Sequence, residues 1–265
     1  MADHIPRKRF GQNFLHDARI IHQLVAAIKP KPGDNMVEIG PGQGALTRPL
    51  LQRLDTLHVI ELDRDLLPAL QAMSDQGLVV HAADALRFDF ATLTGDRPLR
   101  IVGNLPYNIS TPLLFHLLQY RERIADMHFM LQLEVVNRLA AAPGGKDYGK
   151  LSVITQYFCQ VDKLFQVPPG AFNPPPKVMS AIVRLSPRPF ATRASDQALF
   201  EQLVRIAFSQ RRKTLRNNLK QLLDSSQLEQ LQQQGFDLSL RPEQLAVADF
   251  VALANAVTVR PAADA

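Results

Sequence analysis

The chain is predicted to be an α/β protein: a doubly wound, mostly parallel seven-stranded sheet followed by a small all-helical C-terminal domain. Three observations carry that reading. Short apolar runs near 36–39, 57–61, 78–82, 99–103 and 127–132 alternate with helical stretches, the pattern of parallel strands joined by crossover helices. The first run passes straight into Gly40-Pro41-Gly42-Gln43-Gly44, a glycine-rich turn from strand to helix. Beyond Pro187-Arg188-Pro189 the strand signal stops, and 196–209, 212–223, 226–234 and 243–256 all read as helices.

The elements follow in chain order. Residues 1–9 make a loose basic arm carrying Arg7, Lys8 and Arg9. From Asp17 to Ile28, the residues Ile20, Ile21, Leu24, Val25 and Ile28 recur at helical spacing, so this helix packs on the sheet. Met36 to Ile39 is a strand, Ala45 to Leu54 a helix, and Leu57 to Ile60 a second strand that ends at Glu61. Leu78 to His81 is followed by Asp84-Ala85, and Leu99 to Val102 runs on to Asn104-Leu105-Pro106-Tyr107. Val136 to Ala142 is a helix stopped by Pro143-Gly144-Gly145. Leu151 to Cys159 is another helix, and Leu164 to Val167 can pair with Val178 to Leu185 to close the sheet with an antiparallel edge. Residues 1–187 thus form one domain and 188–265 a second. Gly144-Gly145-Lys146 lacks the first glycine and the hydroxyl residue of a phosphate loop, and is set aside.

Composition bounds the function. With 265 residues and 46% hydrophobic content, the chain can bury one large core and a small second one. A net charge of +5 suits a polyanionic partner. The lone cysteine, Cys159, excludes an intramolecular disulfide and fits core packing in a reducing compartment. No apolar run approaches the roughly 20 residues of a membrane span. Polar Gly11-Gln12-Asn13 follows Arg7-Lys8-Arg9 where a signal peptide would turn apolar. A cytoplasmic protein without metal or membrane partner is expected.

The glycine turn and Glu61 carry the first chemistry. Gly40 and Gly42 let a ligand approach the backbone without meeting a Cβ, and a carboxylate ending the next strand can accept hydrogen bonds from ribose hydroxyls. Gly40-x-Gly42-x-x-Ala45 also satisfies the dinucleotide fingerprint, which leaves a nicotinamide-dependent oxidoreductase open. Glu38, however, stands two residues before Gly40 in the pattern Glu-x-Gly-x-Gly-x-Gly, which resembles motif I of S-adenosylmethionine-dependent methyltransferases. Asp84 stands where those enzymes place an acid against the adenine amino group; the plain alternative is a turn or helix cap.

Asn104-Leu105-Pro106-Tyr107 carries the second chemistry. Proline biases Leu105 towards an extended backbone, so the Asn104 amide oxygen and the Leu105 carbonyl can both accept from an exocyclic NH₂ while Tyr107 stacks on the ring. Adenine N6 is a poor nucleophile whose methylated form is strongly acidic, so positioning and preorganised dipoles suffice without a base. A third class, an RNA-binding assembly factor without chemistry, is disfavoured by the intact tetrapeptide and glycine loop.

Taken together, Lys8 to Leu15, Glu38 to Thr47, Asn104 to Ser110 and Phe172-Asn173-Pro174-Pro175-Pro176-Lys177-Val178 resemble the ribosomal RNA adenine dimethyltransferase family over nearly the whole chain. The Asn-Leu-Pro-Tyr form and Gln210-Arg211-Arg212-Lys213-Thr214 are similar to its KsgA (RsmA) branch rather than to the Erm resistance enzymes. That resemblance implies a Rossmann-like class I methyltransferase domain. It also implies transfer from S-adenosylmethionine to N6 of two adjacent adenosines near the 3′ end of 16S rRNA, within a 30S subunit or its precursor. The residues it implies for catalysis are Asn104, Leu105, Tyr107 and Phe172. For the cofactor they are Asn13, Leu15, Gly40, Gly42, Glu61, Asp84 and Asn104. Simple core packing remains open for Phe172, and ordinary lead-in to the first helix for Asn13 and Leu15.

Residues 202–223 hold Arg205, Arg211, Arg212, Lys213, Arg216 and Lys220 and no acid. On the predicted helix 212–223, Arg212, Arg216 and Lys220 share one face. Arg211, Arg212, Lys213 and Arg216 are therefore the expected phosphate contacts to RNA.

Overall fold

The structure, a computed structural model, describes residues 12–93 and 95–258; the basic arm at 1–9 lies outside them. The strands are β1 (Phe14–Leu15), β2 (Asn35–Ile39), β3 (Leu57–Glu61), β4 (Leu78–Ala82), β5 (Leu99–Asn104), β6 (Ile124–Gln132), β7 (Cys159–Val167), β8 (Phe172–Asn173) and β9 (Ser180–Pro187). The helices are α1 (Ala18–Ile28), α2 (Thr47–Leu51), α3 (Leu67–Gln71), α4 (Ser110–Leu118), α5 (Leu133–Leu139), α6 (Lys150–Phe158), α7 (Gln197–Ala207), α8 (Leu215–Leu219), α9 (Ser225–Gln233) and α10 (Val247–Thr258).

Seven strands form one sheet in the order β4-β3-β2-β5-β6-β9-β7, while β1 and β8 pair separately. Strands β2 to β6 are parallel, and β9 runs antiparallel against β6. Fully buried Met36, Val37, Leu57, Val59, Leu99, Ile101, Met127 and Phe129 explain why these runs are nearly continuous apolar segments: a parallel sheet is covered on both faces. Asp17 starts α1 by accepting from the Arg19 and Ile20 N–H groups at 2.9 and 3.2 Å, satisfying donors that the first turn leaves open.

The chain divides into two compact units. One takes the described parts of Met1–Val136 and Asp162–Pro187, the other those of Asn137–Val161 and Arg188–Ala265. The sequence puts all of 1–187 in one domain, whereas the structure groups α6 and the loop before it with the C-terminal helices. Aromatic contacts inside that second unit are the physical reason. Tyr157 of α6 meets Phe200 of α7 with ring centroids 4.4 Å apart, and Tyr148 meets Phe208 at 6.3 Å.

Two further expectations change. Strand β7 begins at Cys159, straight after α6, rather than near Leu164, although it does lie at the sheet edge beside β9. The predicted helix over 212–223 is a five-residue helix, α8, so Arg212, Arg216 and Lys220 do not step along one helical face. In a helix begun at 212 the Arg216 N–H would bond within the helix; here it donates to the Leu238 carbonyl, and the Leu215 N–H to Leu240. Thr214 caps the start by accepting from the Asn217 N–H, and buried Asn218 donates to the carbonyls of Ala207 and Gln210, which fixes the chain reversal after α7.

Candidate active site

Parallel pairing brings the candidate residues to one end of the sheet. Ile39 lies opposite Ile60 and Glu38 opposite Val102, so the glycine turn, Glu61 and Asn104 leave the sheet side by side. The chain winds outward from β2 through β3 to β4 and then returns to β5 on the other side of β2. That gap between β2 and β5 is the topological switch point, where ligands bind in open α/β sheets. A cavity of about 350 Å³ opens there, a size typical of small-molecule sites. Asn13, Leu15, Gly40, Gly42, Glu61, Asn104, Leu105 and Tyr107 all line it.

Glycine is required at two points around this cavity. Gly42 has φ of +56°, and a Cβ there would come within 3.0 Å of the Phe14 ring. A Cβ on Gly103 would lie 2.5 Å from the Ile39 carbonyl oxygen, so only glycine lets β5 and β2 approach this closely just before Asn104. The sequence reading did not single out Gly103, because its φ is ordinary and the constraint comes from a neighbouring strand.

Two acids stand in the wall. One Glu61 oxygen accepts the Asp63 N–H at 2.8 Å and the other the Gly42 N–H at 3.3 Å, so the carboxylate is held and keeps lone pairs for a ligand. Burial raises its pKa, and those N–H donors oppose the rise. Glu38 lies deeper, accepting from the Thr47 hydroxyl at 2.6 Å. Burial pushes its carboxyl up to about 7, against the Thr47 hydrogen bond and with the charge of Glu61 adding to the rise.

Asn104 is held in one orientation. One Nδ2 hydrogen donates to the Asn13 carbonyl at 2.9 Å, a partner that can only accept, so the amide nitrogen stands on that side and Oδ1 on the other, where it can accept. The Leu105 N–H donates to the Met130 carbonyl at 3.2 Å, tying the turn to β6. The Tyr107 hydroxyl meets the Ser180 hydroxyl at 2.8 Å. Burial raises the Tyr107 pKa while Ser180 lowers it, the first being larger, so the phenol stays neutral.

Two candidates stand apart from the wall. Asp84 does not line the cavity, although Ala83 and Ala85 do, and its carboxylate accepts the Leu86 N–H at 2.9 Å, the turn cap that was its alternative. Phe172 is buried in the core, opposite Leu15 in the β1–β8 pair, as core packing predicts. Gln12 and Ser180 were missed. Gln12 lines the cavity and donates to buried Asp63 at 2.9 Å. Nothing in a single sequence places Ser180 beside Tyr107, since strand order alone brings them together.

The residues fit S-adenosylmethionine: Glu61 offers a held carboxylate with free lone pairs, and the glycine turn lets a ligand approach the backbone without meeting Cβ atoms. Fold and site together define a Rossmann-like, S-adenosylmethionine-dependent methyltransferase. The model of the ribosomal RNA adenine dimethylase family matches residues 4–258, and the chain belongs to that family. It is 58% identical over 257 residues to the ribosomal RNA small subunit methyltransferase A of Chromobacterium violaceum, covering 96% of this chain and 97% of that one. The protein of the same name from Pseudomonas fluorescens is 59% identical over 263 residues, covering 97% and 96%. Among solved structures, a dimethyladenosine transferase from Plasmodium falciparum matches with a TM-score of 0.77 at 28% identity, over 91% of this chain and 95% of that one. The 23S rRNA methyltransferase ErmE matches with a TM-score of 0.68 at 25% identity, over 93% and 100%.

Proposed function

We propose that this chain methylates N6 of two adjacent adenosines near the 3′ end of 16S rRNA, giving N6,N6-dimethyladenosine, and that it acts on the 30S subunit or its precursor in the cytoplasm. The observation that carries this reading is the fixed amide of Asn104, which bonds Asn13 through one Nδ2 hydrogen and keeps Oδ1 to accept. S-adenosylmethionine supplies an electrophilic methyl group on a sulfonium. Everything else falls to the chain. Oδ1 of Asn104 and the Leu105 carbonyl accept from the adenine amino group, favour a pyramidal nitrogen and stabilise the positive charge that grows on N6 as the N–C bond forms. The Tyr107 ring stacks on the base and faces that charge. Once methylated, N6 is acidic enough to release its proton to water. A neutral amide accepts equally from N6-methyladenine, which has one N–H left for the second transfer.

Glu61, Gly40, Gly42, Asn13, Leu15 and the backbone around Asp84 hold the cofactor in this reading. Arg211, Arg212, Lys213 and Arg216 contact RNA phosphates. Arg211 and Arg216 also donate to the protein, to the Lys146 carbonyl and the Gln232 amide oxygen, whereas Arg212 and Lys213 have no side-chain partner among the described residues. The test is incubation with labelled S-adenosylmethionine and undermethylated small subunits, with the label mapped by nuclease digestion and mass spectrometry. Dimethyladenosine at two neighbouring positions is the expected product. Binding of NAD(H) without binding of S-adenosylmethionine would move the chain to the oxidoreductases.

A further inference from the structure

Tyr107 is an unusual choice if only a π face is wanted, because phenylalanine supplies the same face without a hydroxyl to satisfy. Among the described residues the hydroxyl has one partner, Ser180, at 2.8 Å. Ser180 is fully buried on β9, opposite Gln132 in the antiparallel ladder with β6, so its backbone is fixed by the sheet. Tyr107, by contrast, sits in the loop between β5 and α4. Its backbone is held by a turn, Ile109 N–H to Pro106 carbonyl at 3.2 Å, and by the Ser110 hydroxyl donating to the Tyr107 carbonyl at 3.1 Å. A tyrosine ring has two side-chain torsions, and a ring tethered only at its base can still turn about both. The phenolic oxygen lies on the χ2 axis, so the Ser180 bond leaves ring flips alone but stops the χ1 swing that would carry the whole ring away from the cavity.

We propose that Ser180 is a positioning residue for methyl transfer: its hydroxyl pins the far end of the Tyr107 side chain so that the ring stays at the cavity, where the adenine stacks. This deepens the methyltransferase reading and rests on it. The phenol acts as an anchor, not as an acid or base, and no proton passes through it. Burial keeps it neutral, in line with that role. Misplacing a stacking partner by about 1 Å can cost on the order of a hundredfold in rate, so loss of one tether costs less, about tenfold.

The experiment is a double-mutant cycle of Ser180→Ala and Tyr107→Phe, read as single-turnover methyl transfer per folded protein at saturating cofactor. Each single variant is expected to slow transfer about tenfold with unchanged cofactor affinity, and the double variant to be no slower than either. A purely structural role for Ser180 would lower thermal stability and leave the transfer rate at wild type, and that result overturns the proposal, as do effects that multiply in the double variant. If Ser180→Ala does not fold, Ser180→Cys keeps the volume, weakens the bond and repeats the test, with a wild-type rate again decisive against it. A second readout needs no substrate. The chain has four tyrosines, so tyrosine labelled at Cα and Cβ can be followed by NMR. Averaging of the χ1-dependent three-bond couplings of Tyr107 in the Ser180 variant supports pinning, and couplings unchanged from wild type overturn it. Absence of methyl transfer by the wild type would count against the methyltransferase reading instead, and the χ1 measurement would still decide the role of Ser180.

Discussion

The cavity wall and the cationic segment 211–220 are built on opposite plans. At the cavity each acceptor is held by a second group on the sheet or its loops: Asn104 by Asn13, Glu61 by Gly42 and Asp63, Leu105 by Met130. In the segment, Arg212, Lys213 and Lys220 are exposed on turns around a five-residue helix. A reaction that needs an atom aimed within a fraction of an ångström calls for the first plan. Tracking a phosphate backbone tolerates the second, since long cations adjust to the charge they meet. Single substitutions should therefore be severe at the cavity and mild and distributed in the segment.

The largest effect is expected at Asn104. Asn104→Ala should slow single-turnover methyl transfer by on the order of a hundredfold or more at saturating S-adenosylmethionine. A wild-type rate would erase the contrast between the two regions. Glu61→Ala comes next, weakening cofactor binding by roughly 1.5–3 kcal/mol through loss of charge-assisted hydrogen bonds. Calorimetry that finds unchanged affinity in a folded variant removes Glu61 from the cofactor site.

Glu38 sharpens the comparison through pH. Its carboxyl is held near 7 in the folded chain against an ordinary 4.5, so between these values the native state binds more protons than the unfolded state. The contribution is fully present below pH 4.5 and is lost as pH rises through 7. Urea midpoints of wild type should therefore fall, relative to Glu38→Gln, across that window. Parallel pH curves for the two proteins would mean that Glu38 ionises as an ordinary surface acid. The smallest effects belong to the segment. Arg212→Gln and Lys213→Gln should each lower the log–log salt slope of RNA binding by roughly 0.7–0.9, with smaller changes at Arg211 and Arg216, which already have protein partners. Equal slopes for all four would show that those protein contacts give way to RNA.

What could be read in advance follows the same division. The strand runs, the glycine turn, Glu61 and the Asn104 tetrapeptide are local patterns, legible because a buried parallel strand and a tight turn each demand particular residues nearby. Gly103 and Ser180 answer to β2 and to Tyr107 across the sheet, and that dependence on strand order leaves no local mark. The length of α8 was misread for a related reason: Leu215 and Leu219 repeat at helical spacing, but carbonyls of Leu238 and Leu240, distant in sequence, take the N–H groups that a longer helix would use. Phe172 shows the converse. Its motif is conspicuous, yet its side chain is buried in the core, opposite Leu15 of β1.

The place of β9 has a consequence for synthesis. It lies between β6 and β7, although both precede it in the chain. As the polypeptide leaves the ribosome, the apolar edge Met127 to Leu131 has its parallel neighbour β5 on one side and nothing on the other until Ser180 to Pro187 emerges. At roughly 5–20 residues per second the nascent chain carries that open edge for several seconds, and an unpaired apolar strand is a template for joining other chains. Slow translation between β6 and β9 should lengthen the exposure, so the yield of soluble protein depends on the codons of this stretch as well as on its amino acids.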